Sequence, residues 1–181
     1  RLCAQSPRLE ISTPARGRLA LTAALGLYGL YYILVPDHYG LIDGVDLAIH
    51  EAGHPIFGVF GEFIGMLGGT LMQLIVPLSF VWYFVRRGDR HAATVAGWWV
   101  AQNLWNISRY VQDAQAQDLP LVGGGEHDWA YLLEHVNLLE QDQLIGQLVR
   151  VAGILVFAYA TMRGVTYARE LTNAGVEVGD E

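Results

Sequence analysis

The sequence predicts an all-α, polytopic membrane protein of about four transmembrane helices, with a buried or re-entrant helix and an interfacial helix between them. Three observations carry this. Of the 181 residues, 52% are apolar and only 16% charged, against about a quarter charged in ordinary soluble domains. The mean hydropathy is positive, at +0.28. Four stretches with at most one charge approach the roughly 20 residues that a helix needs to cross a bilayer, and polar segments separate them.

The first span is expected at residues 19–35 (LALTAALGLYGLYYILV), entered from Arg16 and Arg18 and stopped by Pro36 and Asp37. The second, residues 65–85 (GMLGGTLMQLIVPLSFVWYFV), is uncharged, runs into Arg86 and Arg87, and holds Pro77 as a kink that neighbouring helices must offset. The third, residues 92–107, carries Trp98, Trp99 and Trp105 together with Gln102, Asn103 and Asn106, amides that need partners inside the protein. The fourth, residues 144–162, is interrupted by Arg150. A cation near mid-bilayer costs about 2.5–3.5 kcal/mol, so a carboxylate partner is expected.

Two further stretches are not simple spans. Residues 37–63 hold Asp37, Asp43, Asp46, Glu51 and Glu62, too many acids for a lipid-exposed helix, yet 41–54 has a helical pattern and must sit in protein. Residues 112–128 form a polar loop with a triple glycine. After it, Trp129, Leu132, Leu133, Val136 and Leu139 recur at helical spacing and predict an interfacial helix over 129–142. The organisation is a single integral-membrane domain over 19–162 between an N-terminal tail, 1–18, and a C-terminal tail, 163–181.

All eleven cations are Arg, and nine fall before the first span, between the second and third, or after the last. The positive-inside rule makes these three regions, and both termini, cytoplasmic. Four spans then place 37–63 and 112–143 on the opposite face. A net charge of −7 and the lack of a basic patch interleaved with aromatics exclude a nucleic-acid partner; the expected surroundings are a lipid bilayer and other membrane proteins. Cys3 stands alone and forms neither an internal disulfide nor a thiolate cluster. The polar stretch 1–17 lacks the apolar run of a signal peptide, and without an initiator Met the true start is expected to be missing.

Residues 50–54 read His-Glu-Ala-Gly-His. On a helix, positions i and i+4 project from one face, so His50 and His54 can hold one Zn2+ while Glu51, about 100° round, meets the water that the metal activates. Asp43 and Asp46 lie on the same helical face. Asp43 is expected to cap the helix, and Asp46 either to cap it or to fix the tautomer of His50. A catalytic zinc needs a third protein ligand, and the topology delivers Glu126, His127 and Asp128 to the same membrane face. Of these, Asp128 directly precedes the apolar run, an N-cap position that holds a short side chain rigidly; His127 is the alternative ligand or a supporting group. His38, His91 and His135 are expected to be surface or interfacial.

A HExxH helix in a small polytopic protein, followed by a Gly-rich span (MLGGTLMQLIVPL) and, some 75 residues on, by an Asp opening a new helix (DWAYLL), resembles the intramembrane zinc metallopeptidases of the site-2 protease class, especially their minimal bacterial members. The resemblance implies His50, His54 and Asp128 as zinc ligands, Glu51 as general base, a membrane-embedded protein or peptide substrate, and a bacterial inner membrane. Around the distal aspartate the family's Leu-Asp-Gly is replaced by His-Asp-Trp, and Pro55 is expected to bend the helix after His54.

Two bundle chemistries fail on residue content. A di-iron carboxylate site needs a second Glu-x-x-His, and Glu51 to His54 is the only one. An axial haem histidine leaves Glu51 without a role. A non-catalytic membrane subunit with a structural or vestigial metal site is the other function these residues allow, and a path for water to the metal separates the two. Gln73, Gln102, Asn103 and Asn106 are candidates either for contacts to substrate and oxyanion or for interhelical hydrogen bonds. Arg109 is a candidate oxyanion contact or a partner of Asp113. The topology has a direct check: a single cysteine placed between Arg86 and Arg90 is expected to be shielded from a membrane-impermeant maleimide in intact cells, and labelling from outside refutes the arrangement.

Overall fold

The computed structural model describes residues 13–120 and 125–176. Residues 1–12, with Cys3, 121–124 of the polar loop, and 177–181 of the C-terminal tail lie outside the described residues. Six α-helices and no strand occur among the described residues: α1 Thr13–Leu34, α2 Leu41–Phe57, α3 Glu62–Arg86, α4 Arg90–Gln112, α5 Asp128–His135 and α6 Asp142–Val176. Turns of 3₁₀ helix, Gly58–Phe60 and Leu139–Gln141, lead into α3 and α6.

Three helical stretches, Ala15–Leu34, Glu62–Arg86 and Leu139–Glu170, are long and apolar enough to cross a membrane, which suits an integral membrane protein. Helix α4 is of similar length but is not among them. Its polar residues are turned inward: Gln102, Asn103 and Ser108 are buried along with Trp98, Val100, Trp105 and Val111, and the helix packs against α6, α3 and α1. A helix surrounded by protein need not be apolar by composition. The outer face of α6 instead carries Leu144, Leu148, Val151, Leu155, Tyr159 and Met162, all exposed and three or four residues apart, a continuous stripe of the kind lipid covers.

Contacts between helix ends set the directions. Arg18 of α1 reaches Asp89 in the α3–α4 turn at 3.8 Å, and the Arg90 guanidinium lies over the Tyr167 ring of α6 at 5.8 Å. The start of α1, the α3–α4 turn and the late part of α6 therefore share one end, where Arg18, Arg87 and Arg90 line a common depression. At 1.5 Å rise per residue, the 22 residues of α1 and the 25 of α3 extend about 33 and 37 Å. Leu34 and Glu62 thus lie at the opposite end, and α2 begins and finishes there without crossing.

Helix α2 is held by close approach and by buried polar contacts. Asp43 accepts the Gly40 backbone N–H at 2.7 Å, the capping role expected of it. The helix continues through Pro55 to Phe57, where the 3₁₀ turn takes over. A Cβ on Gly53 would collide with the backbone of Gly68 and Gly69, and one on Gly69 would enter the His50 ring. The Gly-rich start of α3 therefore lets the HExxH helix lie backbone to backbone on α3, the small-residue contact common between helices in membranes.

Several expectations are corrected. Arg150 has no carboxylate partner among the described residues; its Nη2 donates to the Ile33 carbonyl at 2.9 Å, one of the terminal carbonyls of α1 that lack an intrahelical donor. His91 is buried against Thr22 Oγ1, 3.0 Å away, rather than at the surface. The expected interfacial helix is α5, which ends at His135, and α6 continues unbroken to Val176, so most of the predicted C-terminal tail is helical. Gly53→Val is expected to destabilise the protein by about 1–3 kcal/mol, read as a lower melting temperature in detergent. Gly44→Ala, on the same helix with open space around it, is expected to cause no loss.

Candidate metal centre

Three side chains from two distant parts of the chain meet between α2, α3 and α5. His50 Nε2 lies 2.7 Å from Asp128 Oδ2, and His54 Nε2 lies 3.3 Å from the same oxygen. Ligand atoms of His50, His54 and Asp128 all fall within 4.8 Å of one another, so the group can hold a metal ion. Ligands about 2.0–2.2 Å from a tetrahedral metal stand roughly 3.3–3.6 Å apart, which the His54–Asp128 separation matches and the His50–Asp128 separation falls short of. The helical i,i+4 relation brings the two imidazoles together, with ring centroids 4.9 Å apart.

The far side of each imidazole is also fixed. His50 Nδ1 is 2.8 Å from Gln73 Oε1, and His54 Nδ1 is 2.9 Å from the Gly65 carbonyl. Both partners are acceptors, so each ring donates from Nδ1 and turns its Nε2 edge toward Asp128, a donor to the carboxylate when protonated and a ligand to a metal when not. Ligating histidines are oriented in this way in metal sites generally. Burial pushes the Asp128 carboxyl up, but hydrogen bonds from His50 and His54 outweigh it and hold the group below the usual carboxylate range. The contact with Asp128 raises His54 to about 9 against the opposing effect of burial. The space between the three groups therefore attracts positive charge.

Asp46, expected either to cap α2 or to meet the ring of His50, instead faces α4. Its Oδ1 accepts from Trp99 Nε1 at 2.8 Å and Asn103 Nδ2 at 3.2 Å, and Gln73 takes the orienting role. The reason is geometric, since the Nδ1 edge of His50 faces α3 across the Gly53–Gly68 contact rather than back along α2. Asp128 is the first residue of α5 and not its N-cap; His127 is the cap, its Nδ1 accepting from the Ala130 N–H at 3.2 Å. The His127 ring is fully buried on Tyr110, at a centroid separation of 4.2 Å, with Nε2 turned to Asp113, 3.3 Å away. Both of its nitrogens thus point away from His50 and His54. Glu126 lines the cavity beside the site.

Asn103 is buried and bonds Asp46 and the Trp99 carbonyl. Asn106 donates to Asp43 at 3.1 Å and accepts from Gln73 at 3.0 Å. Gln102 donates to Asp43 at 2.9 Å. These amides are interhelical ties. Arg109 does not pair with Asp113, whose carboxylate accepts the backbone N–H groups of Asp118 and Leu119. Tyr110 went unremarked in the sequence; its hydroxyl accepts from the Asp128 N–H at 3.2 Å and its ring packs on His50 and His127. Nothing in the local pattern marks it out from the chain's other tyrosines.

Two cavities open beside the centre. One, of about 360 Å³, is lined by Glu51, His54, Asp128, Glu62, Glu126 and Tyr110. The other, of about 450 Å³, reaches His50 and Glu51 from the side of Arg109. Glu51 is exposed and borders both. Comparison of the chain with family models, with curated proteins and with solved structures gave no match.

His50→Ala, His54→Ala and Asp128→Ala are each expected to lose stoichiometric metal, whereas His127→Ala keeps it, as read by elemental analysis of purified protein. Gln73→Leu is expected to weaken metal affinity about 10–100-fold with all three ligands present. Retention of wild-type affinity would remove Gln73 from the centre.

Proposed function

We propose that the chain is a membrane-embedded zinc metallopeptidase, similar to the site-2 protease class, that hydrolyses peptide bonds with Glu51 as general base. One observation carries the reading: two imidazoles with their Nδ1 edges fixed by acceptors, and one carboxylate, converge beside an exposed Glu51 at the meeting of two cavities. Two nitrogens and one oxygen form a donor set suited to zinc and poorly suited to magnesium or calcium, which favour oxygen shells. Zinc, when bound, supplies Lewis acidity that polarises a carbonyl and lowers the pKa of water toward neutrality.

The chain's own groups do the rest. His50, His54 and Asp128 hold the metal, while Gln73 and the Gly65 carbonyl keep the imidazoles in one tautomer. The Glu51 carboxylate, free of the ligand set, takes a proton from the attacking water and returns it to the departing amine nitrogen. The cavity beside His54 and Asp128 supports an open metal position, as catalytic zinc sites keep and structural ones close. That feature favours the enzyme over a non-catalytic subunit.

The proposal includes four spans, with α4 crossing as the fourth inside its neighbours, in a bacterial inner membrane with both termini cytoplasmic. Its support is the gathering of Arg18, Arg87 and Arg90 at one end, away from α2 and α5. The metal centre then faces the non-cytoplasmic side. Against single-span reporter peptides, Glu51→Gln is expected to lower turnover at least about 100-fold with zinc retained, and His54→Ala to lose both. Unchanged turnover in Glu51→Gln would refute the assigned base.

A further inference from the structure

The two cavities that meet at Glu51 differ in charge. The cavity on the His54 side is lined by four acids, Glu51, Glu62, Glu126 and Asp128, with no Arg among its lining residues. The cavity on the His50 side is walled by Tyr39, Leu47, Tyr110, Leu119 and Pro120, with Arg109 as its one cation. Glu51 is shared with the other cavity, and the two amides there are already engaged: Gln73 bonds His50 and Asn106, and Asn106 bonds Asp43. Arg109 makes neither an ion pair nor a side-chain hydrogen bond among the described residues. A guanidinium with free donors, bordered by apolar and aromatic walls, is a fork for a planar anion, and reduced water around it strengthens that pairing.

Resting on the peptidase reading, we propose that Arg109 is a specificity-determining residue that binds a carboxylate of the substrate in the His50-side cavity. The substrate class is a peptide bearing either an acidic side chain or a free C-terminal carboxylate a short distance from the bond held at the metal. Glu62 and Glu126, the acids of the opposite cavity that hold no metal, repel such a group, so the charge difference also sets the direction in which the peptide lies across Glu51.

The test uses zinc-loaded full-length protein and dipeptide hydroxamates, whose chelating end anchors at the metal. One pair ends in Ala with a free carboxylate or an amide; a second pair is amidated and carries Glu or Gln. In the wild type the acid of at least one pair is expected to bind about tenfold tighter than its neutral partner, and the pair that discriminates identifies the source of the carboxylate. Arg109→Gln is expected to erase the difference with zinc content unchanged. Should that variant fail to hold zinc, Arg109→Lys, which keeps the charge without the fork, is expected to show a reduced preference. Equal binding of acid and neutral forms by the wild type overturns the carboxylate site while leaving the peptidase reading in place, as does a preference that survives undiminished in the variants. Failure of every hydroxamate to bind zinc-loaded protein overturns both.

Discussion

The hydrogen bonds of Gln73 are the contact on which the metal centre and the bundle jointly depend. Its Oε1 meets His50 Nδ1 at 2.8 Å, and its Nε2 donates to Asn106 at 3.0 Å and more weakly to Asn103 at 3.4 Å. One amide on an otherwise apolar helix thus joins α2, α3 and α4. Where water is scarce, a polar group without a partner costs more than the bond it would make, so few other packings of these helices satisfy the same groups. Asp43 extends the network by accepting from Tyr32, Gly40, Gln102 and Asn106, which ties the end of α1 to the same set.

Close packing complements the network. Helix α2 bears buried acids and histidines on one face, and such a helix is tolerated at depth only if its neighbours supply donors and space. Gly53, Gly68 and Gly69 supply the space, and the amides of α3 and α4 supply the donors. The result is a polar helix wedged among apolar ones, its ligands aimed at α5 and its exposed Glu51 at the cavities. Helix α5 answers from the other side: His127 caps it, Tyr110 supports its first N–H, and Trp129 bonds Thr70 of α3 at 3.2 Å. Asp128 is thereby held by three elements, and its position follows from theirs.

Much of the architecture was legible in the residues. The apolar runs marked α1, α3 and α6 because a spanning helix must cover its backbone with apolar side chains over a set length. The HExxH spacing marked the two imidazoles because an α-helix alone aligns i and i+4. Composition was misleading where surroundings, rather than the helix itself, decide what a side chain meets. Arg150 finds a backbone carbonyl instead of an acid, and Asp46 meets Trp99 and Asn103 of α4 rather than the ring of His50; the amides of α4, by contrast, find the partners inside the protein that their polarity required.

Local periodicity and charge by themselves determined that the chain is helical and lipid-compatible, and that His50, Glu51 and His54 share one turn of helix. Only the tertiary structure decided that Gln73, rather than Asp46, orients His50, and that His127 turns inward as a cap while Asp128 faces the imidazoles. It alone set an acidic cavity against one with a single arginine on either side of Glu51. The physical reason is range: helical geometry fixes side chains four residues apart, whereas contacts across 23 residues from His50 to Gln73, or 78 from His50 to Asp128, exist only after helices have packed and buried polar groups have found partners.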